Sequence, residues 1–169
     1  MGKSKTLDQV QFAALPFRVA DDGLRVMLLT SRETRRWVIP KGWPMRGRKP
    51  RQVAAQEAFE EAGILGTIVG KRPVGSYHYS KRLSAQHSIL CEVSVFLLRV
   101  EQQLDEWPEK GQRDRRWFTP SEAYEAVDEG GLAEILRRTI SVALPKCLAF
   151  TNPAGPSWKV RLGDAGRRG

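Results

Sequence analysis

Apolar positions in this chain fall in short blocks, divided by clusters of glycine, proline and charge. Residues 10–20 (Val-Gln-Phe-Ala-Ala-Leu-Pro-Phe-Arg-Val-Ala) predict a strand, with Pro16 pointing to an edge or a bulge. Asp21-Asp22-Gly23 is a turn signal, and 24–30 a buried strand, so the two predict a hairpin. A polar loop over 31–36 leads to Trp37-Val38-Ile39-Pro40, a short buried strand ending at proline, and Lys41-Gly42-Trp43-Pro44 predicts a turn. A helix follows over 50–62: Pro50 suits a first turn, Val53, Ala54, Ala58 and Ile64 form its apolar stripe, and Gly63 stops it. One or two strands over 67–81 are broken near Pro73 and Gly75. Residues 86–100 alternate and then turn wholly apolar, as a central strand does. A short strand at 115–118 precedes a helix opened by Thr119 and Pro120, reaching about 129. Gly130-Gly131 then breaks the chain before a last amphipathic helix over 132–144.

With 169 residues and 41% hydrophobic content, one domain can bury its own core. That domain is expected over 10–144, between a polar segment at 1–9 and a basic Gly/Pro-rich tail at 145–169, which Phe150 and Trp158 could pin to it. No apolar run approaches a membrane span, and the first residues lack the apolar core of a signal peptide, although they fit a short acylation pattern. The two cysteines, Cys91 and Cys147, lie far apart, and Cys91 sits in a strand pattern as a small buried hydrophobe. A reducing, cytoplasmic setting is therefore expected.

The net charge of +9 favours polyanionic partners over neutral ones. Its placement says more than its size. Lys41, Arg46, Arg48, Lys49 and Arg51 crowd one loop with no acid between them. Just beyond it, Gln56-Glu57-Ala58-Phe59-Glu60-Glu61 puts three carboxylates at i, i+3 and i+4, on one helix face. Like charges so placed repel, and a hard divalent cation is the natural compensation, although a merely solvated acidic face would show the same spacing. Cations beside a metal held there would face the phosphates of a substrate.

The segment 42–64 resembles a Nudix box, G-x(5)-E-x(7)-R-E-U-x-E-E-x-G-U with U aliphatic. Gly42, Glu57, Glu60, Glu61, Gly63 and Ile64 match in register, and Ala58 stands at the first aliphatic position. Arg48 replaces the first Glu of that pattern and Gln56 its Arg; Gln56 keeps hydrogen-bond donors without the charge. The resemblance extends over 8–144. It implies the α/β Nudix fold, a mixed β-sheet between helices in an α/β/α sandwich.

It also implies metal-dependent hydrolysis of a phosphoanhydride bond, with Mg²⁺ or Mn²⁺. Glu57 and Glu61 are then the leading metal ligands, and Glu60 is a third ligand or the general base. Ser31-Arg32, Arg36-Trp37-Val38-Ile39-Pro40, Trp107 and Arg113-Asp114-Arg115-Arg116-Trp117-Phe118 are similar to the diphosphoinositol polyphosphate phosphohydrolase branch. That branch also acts on diadenosine polyphosphates, so a polyphosphorylated small molecule is the expected partner. Ser31, Arg32, Lys41, Gly42, Arg46, Arg48, Arg113 and Arg115 are the candidate substrate-binding residues. Trp37, Trp107 and Trp117 read first as packing residues. His87 is a weaker phosphate candidate, and His78 reads as an ordinary strand residue. Two other classes stay open: pyrophosphate removal from an RNA 5′ end, for which no aromatic-basic platform is visible, and a ligand-binding domain without turnover. Oligomeric state is open, and no membrane partner is expected.

Overall fold

The computed structural model describes residues 9–139. The two richest apolar blocks lie side by side at its centre. These are β1 (Val10–Ala20) and β7 (Ser88–Gln103), paired in parallel from Val10↔Glu92 to Phe17↔Arg99. Around them run β2 (Gly23–Thr30), β3 (Trp37–Val38), β4 (Lys41–Gly42), β5 (Ile64–Val69), β6 (Gly75–Arg82) and β8 (Arg115–Phe118). The other edge of β7 is shared by β6 and β5, both antiparallel. On the far side of β1 come β4 and β2, and β2 carries β8 and β3. The result is one mixed eight-stranded sheet.

Side-chain alternation divides the core into two layers. Ala13, Leu15, Phe17, Val26, Leu28, Val93, Val95 and Leu97 face α2 (Pro120–Ala126) and α3 (Gly130–Arg138), which supply Ala123, Leu132, Ile135 and Leu136. Ala14, Met27, Leu29, Phe96 and Leu98 face α1 (Pro50–Ala62), which supplies Ala54, Ala58 and Ala62. Small alanines on that helix let it lie close to the strands. The expected α/β/α sandwich is therefore present, and the wholly apolar stretch of β7 is explained by burial on both faces.

Several boundaries differ from the sequence expectation. Pro16 lies in an interior strand, opposite Leu98. Its missing N–H is tolerated because Ala14, of the same parity, donates to the Pro40 carbonyl, whereas β2 joins β1 only from Phe17. Pro16 thus occupies the gap where one neighbour hands over to the next. Lys41 and Gly42 form a strand on Ala13 and Phe12, not a turn. β5 starts at Ile64, directly after the helix stop, rather than at 67. Gly130 and Gly131 open α3 instead of separating it from α2. A Cβ on Gly131 would come 2.6 Å from the Tyr77 Cβ, so glycine there is required by close packing on β6. Residues 1–8 and 140–169 lie outside the described residues, and with them the end of the last helix expected to 144, the tail expected over 145–169, and Cys147, Phe150 and Trp158.

Candidate active site

Helix α1 presents the acidic face, and its ends fix the register. Pro50 is its first residue, and Lys49 N–H donates to Gln52 Oε1 at 2.8 Å. Gly63 ends it with φ 62°, a left-handed conformation that glycine adopts without a Cβ penalty. Within it Val53, Ala54, Ala58 and Ala62 are buried, which turns Glu57, Glu60 and Glu61 towards the β4 side.

Gly42 sits against this face. A Cβ added there would overlap Glu57 Oε1 and Cδ. The glycine is thus the space through which the Glu57 carboxylate passes, which explains why the two ends of the motif need each other. Glu57 is half-buried, and no hydrogen bond or ion pair reaches its carboxylate among the described residues. Burial first, then Glu61, Glu60 and Glu109, push its pKa up to about 7.

Glu61 is treated differently. It is 8% exposed, and its two oxygens are both engaged. Oε2 accepts from the Lys41 backbone N–H at 3.1 Å, and Oε1 from Arg113 Nη2 at 2.5 Å. Burial raises its pKa, while Arg113 and Lys41 oppose that rise. Arg113 also donates from Nε to Glu109 Oε2 at 2.7 Å and from Nη1 to the Thr30 carbonyl at 3.2 Å. One guanidinium therefore ties the helix, the 104–114 loop and the end of β2 together. Such a buried, fully hydrogen-bonded ion pair costs little to keep and several kcal/mol, about 3–5, to break on one side. Glu60 accepts from Gln56 Nε2 at 2.6 Å, and its backbone carbonyl accepts from Glu109 N–H at 3.0 Å. Gln56, at the motif's arginine position, thus orients Glu60 rather than Glu57.

The remaining candidate residues have distinct positions. Lys41 is partly buried beside Glu129 and Glu61, and its burial lowers its pKa. Its Nζ stands 5.1 Å from the Tyr79 ring centroid. Arg115 does not face the carboxylates. It donates to the Ala62 and Leu104 carbonyls, both at 2.6 Å, and stacks on Trp107 at 3.8 Å. Those contacts brace the end of α1. Ser31 shares a hydrogen bond with Thr34 and receives the Arg36 N–H; Arg32 reaches Gln112 at 3.4 Å. Both lie at the end of β2, next to the strand that Arg113 holds. Arg46 and Arg48 are exposed, and no side-chain contact joins them to the acidic face. His78 lies near Glu92 on β6, and His87 is exposed at the β6–β7 turn. Trp37 packs edge-on to Phe118 at 4.9 Å, consistent with its reading as a packing residue.

Sequence reading missed Glu109 and Glu129. Glu109 bonds Arg113 and adds a fourth carboxylate to the field around Glu57. Its only signal was an acid four residues before Arg113. Glu129 lies beside Tyr77, and burial first, then this carboxylate, raise the pKa of the Tyr77 hydroxyl.

Among the described residues no three His, Cys, Asp or Glu side chains form a finished metal cage. The donor set nevertheless fits a hard divalent ion: it is all oxygen, and at Glu57 burial and three neighbouring carboxylates outweigh the opposing charge of Arg113. Glu57, Glu60 and Glu61 are the side chains that would hold one.

A profile of the NUDIX domain matches residues 9–139. Nudix hydrolase 4 of Arabidopsis thaliana is 31% identical over 132 residues, covering 78% of this chain and 60% of that protein. Nudix hydrolase 12, mitochondrial, of the same plant is 35% identical over 105 residues, covering 60% of this chain and 51% of that protein. The chain thus spans between half and two thirds of the length of these relatives. Among solved structures, an Ap4A hydrolase of C. elegans superposes with a TM-score of 0.63 at 20% identity, covering 80% of this chain and 98% of that one. That likeness concerns the fold.

Proposed function

Since the chain belongs to the NUDIX domain family, we propose that it hydrolyses a phosphoanhydride bond in a highly charged small molecule, with a divalent metal as cofactor. The observation that carries this reading is the uncompensated Glu57 carboxylate, threaded past Gly42 and flanked by Glu60 and Glu61. When bound, the chemistry a divalent ion supplies is neutralisation of the pyrophosphate charge and a lower pKa for water. The chain's own residues do the rest. Arg113 holds Glu61 at a fixed place, Gln56 orients Glu60, and Gly42 leaves Glu57 room to reach the site. Glu60 serves as a third ligand or as the base that takes the proton from water.

A diadenosine polyphosphate or an inositol pyrophosphate is the substrate class this reading favours. Its support is the acid-free cationic loop with Lys41, Arg46 and Arg48 that leads into the acidic helix, and Arg32 at the end of β2. The Ap4A hydrolase among the fold neighbours agrees with it. The test is product formation, followed by anion-exchange chromatography, from diadenosine penta- and hexaphosphate, an inositol pyrophosphate, ADP-ribose, nucleoside triphosphates and 5′-triphosphorylated RNA, with Mg²⁺, Mn²⁺ or chelator. Metal-dependent turnover concentrated in the first three supports the proposal. Turnover confined to the RNA would reassign the substrate, and ligand binding without turnover would make the domain a binding module.

A further inference from the structure

A cavity of about 430 Å³ opens where the start of α1 meets the β5–β6 turn, away from the carboxylates. Four of its lining residues are cations: Lys49 and Arg51 from the helix side, Lys71 and Arg72 from the turn. No acid lines it, and no carboxylate pairs with any of the four among the described residues. Pro50 and Pro73 stiffen the two walls, and Phe96 of β7, 3% exposed, closes the floor. A concave site lined by four cationic residues and no acid lacks a counter-charge of its own. Each added cation raises the cost of the bare state and the gain from an anion.

The site is separate from the acidic face. Arg51 and Glu57 are six residues apart, which is roughly 9 Å along the helix and about 120° around it. A phosphate in the cavity therefore lies on another side of α1 from Glu57. Nor does the attraction come from the helix terminus itself. The Gln52 and Val53 N–H groups already donate to the Lys49 carbonyl, at 2.9 and 3.1 Å. The side chains carry it.

We propose that this cavity is a second anion site, which takes a short cluster of phosphate groups independently of the hydrolytic site. Several phosphates rather than one suit it, because the cations come from two facing walls and the volume exceeds that of a single ion. Arg51 and Arg72 supply planar guanidinium donors for phosphate oxygens, and Lys49 and Lys71 supply charge. The phosphates can belong to a free oligophosphate or to the far end of a long substrate. The separation around α1 favours the free species.

The experiment is a titration of the ¹⁵N-labelled full chain with sodium tripolyphosphate in chelator, followed by NMR, with sulfate at equal ionic strength as control. The expected result is saturable shifts at 49–51 and 71–72, with sulfate at least tenfold weaker. Lys71→Gln/Arg72→Gln should weaken half-saturation by tenfold or more. Both residues are exposed in a turn, so the fold should be retained, and metal-dependent phosphate release should be unchanged. Shifts elsewhere, equal potency of sulfate, or indifference to the double substitution would overturn the proposal. Diadenosine pentaphosphate added to Glu57→Gln separates the two sources. Simultaneous binding with tripolyphosphate supports a separate site, and mutual displacement refutes it. The binding readouts require no hydrolysis, so the site stands or falls apart from the proposed activity.

Discussion

Glu57→Gln tests the reasoning about the acidic face most sharply, because stability and function should move in opposite directions. In the metal-free protein Glu57 is half-buried among carboxylates, and its pKa rises from 4.5 to about 7. The folded state then holds this proton more tightly than the unfolded chain. Glu57 therefore costs no stability below about pH 4.5, an increasing amount as pH rises, and its full penalty above about pH 7. At ~1.4 kcal/mol per tenfold change in proton affinity, the penalty is about 3 kcal/mol without screening. The carboxylate is partly exposed, so solvent reduces this to about 1–2 kcal/mol. Glutamine keeps the shape and removes the charge. In chelator at pH 8, Glu57→Gln should raise Tm by about 3–8 °C, and the gain should vanish near pH 4.5. Adding Mg²⁺ should stabilise the wild type much more than the variant, since ligand binding to the folded state alone raises stability. Calorimetry over pH 4.5–8, with and without Mg²⁺, makes the comparison. A variant that is less stable in chelator at pH 8, or that gains as much from Mg²⁺ as the wild type, would refute the picture of an uncompensated carboxylate awaiting a cation.

Other substitutions probe single contacts. Gly42→Ala places a methyl group on Glu57 without demanding an unusual backbone; the fold should persist by circular dichroism while Mg²⁺-induced stabilisation is lost. Arg115→Met removes the donors to the Ala62 and Leu104 carbonyls and should cost about 2–3 kcal/mol in urea unfolding, by freeing the end of the acidic helix. Thr119→Ala deletes the cap that accepts from Glu122 N–H at 3.3 Å, and about 1 kcal/mol of stability with it. Cys91 is fully buried, so peptide mapping after maleimide treatment of folded protein should find it unmodified, and denaturant should expose it.

The legible parts of this fold are those governed by local rules. The bounds of β1, α1 and β8 follow from apolar blocks with a proline or glycine beside them, and the Gly42-to-Ile64 spacing identifies the acidic face. What stayed hidden depends on neighbours. Pro16 looked like an edge residue because its place between β4 and β2 exists only once the sheet is assembled. Gly130 and Gly131 looked like breakers because the use of Gly131, close approach to Tyr77, is tertiary. Arg113 and Arg115 are two residues apart and of the same type, yet one holds Glu61 and the other caps the same helix. Sequence spacing has no term for that division of labour, nor for Glu109, whose role arises from where its loop folds back.

The central claim is that the acidic face of α1 works through a bound metal to cleave a phosphoanhydride. Formation of mononucleotides from diadenosine pentaphosphate by wild type and Glu57→Gln, each with Mg²⁺ and with chelator, followed by anion-exchange chromatography, tests it most directly. The wild type should turn over only with Mg²⁺, and Glu57→Gln, which breaks no ion pair, should be slower by about two orders of magnitude or more while remaining folded. Equal rates for the two proteins, or wild-type turnover undiminished by chelator, would contradict it.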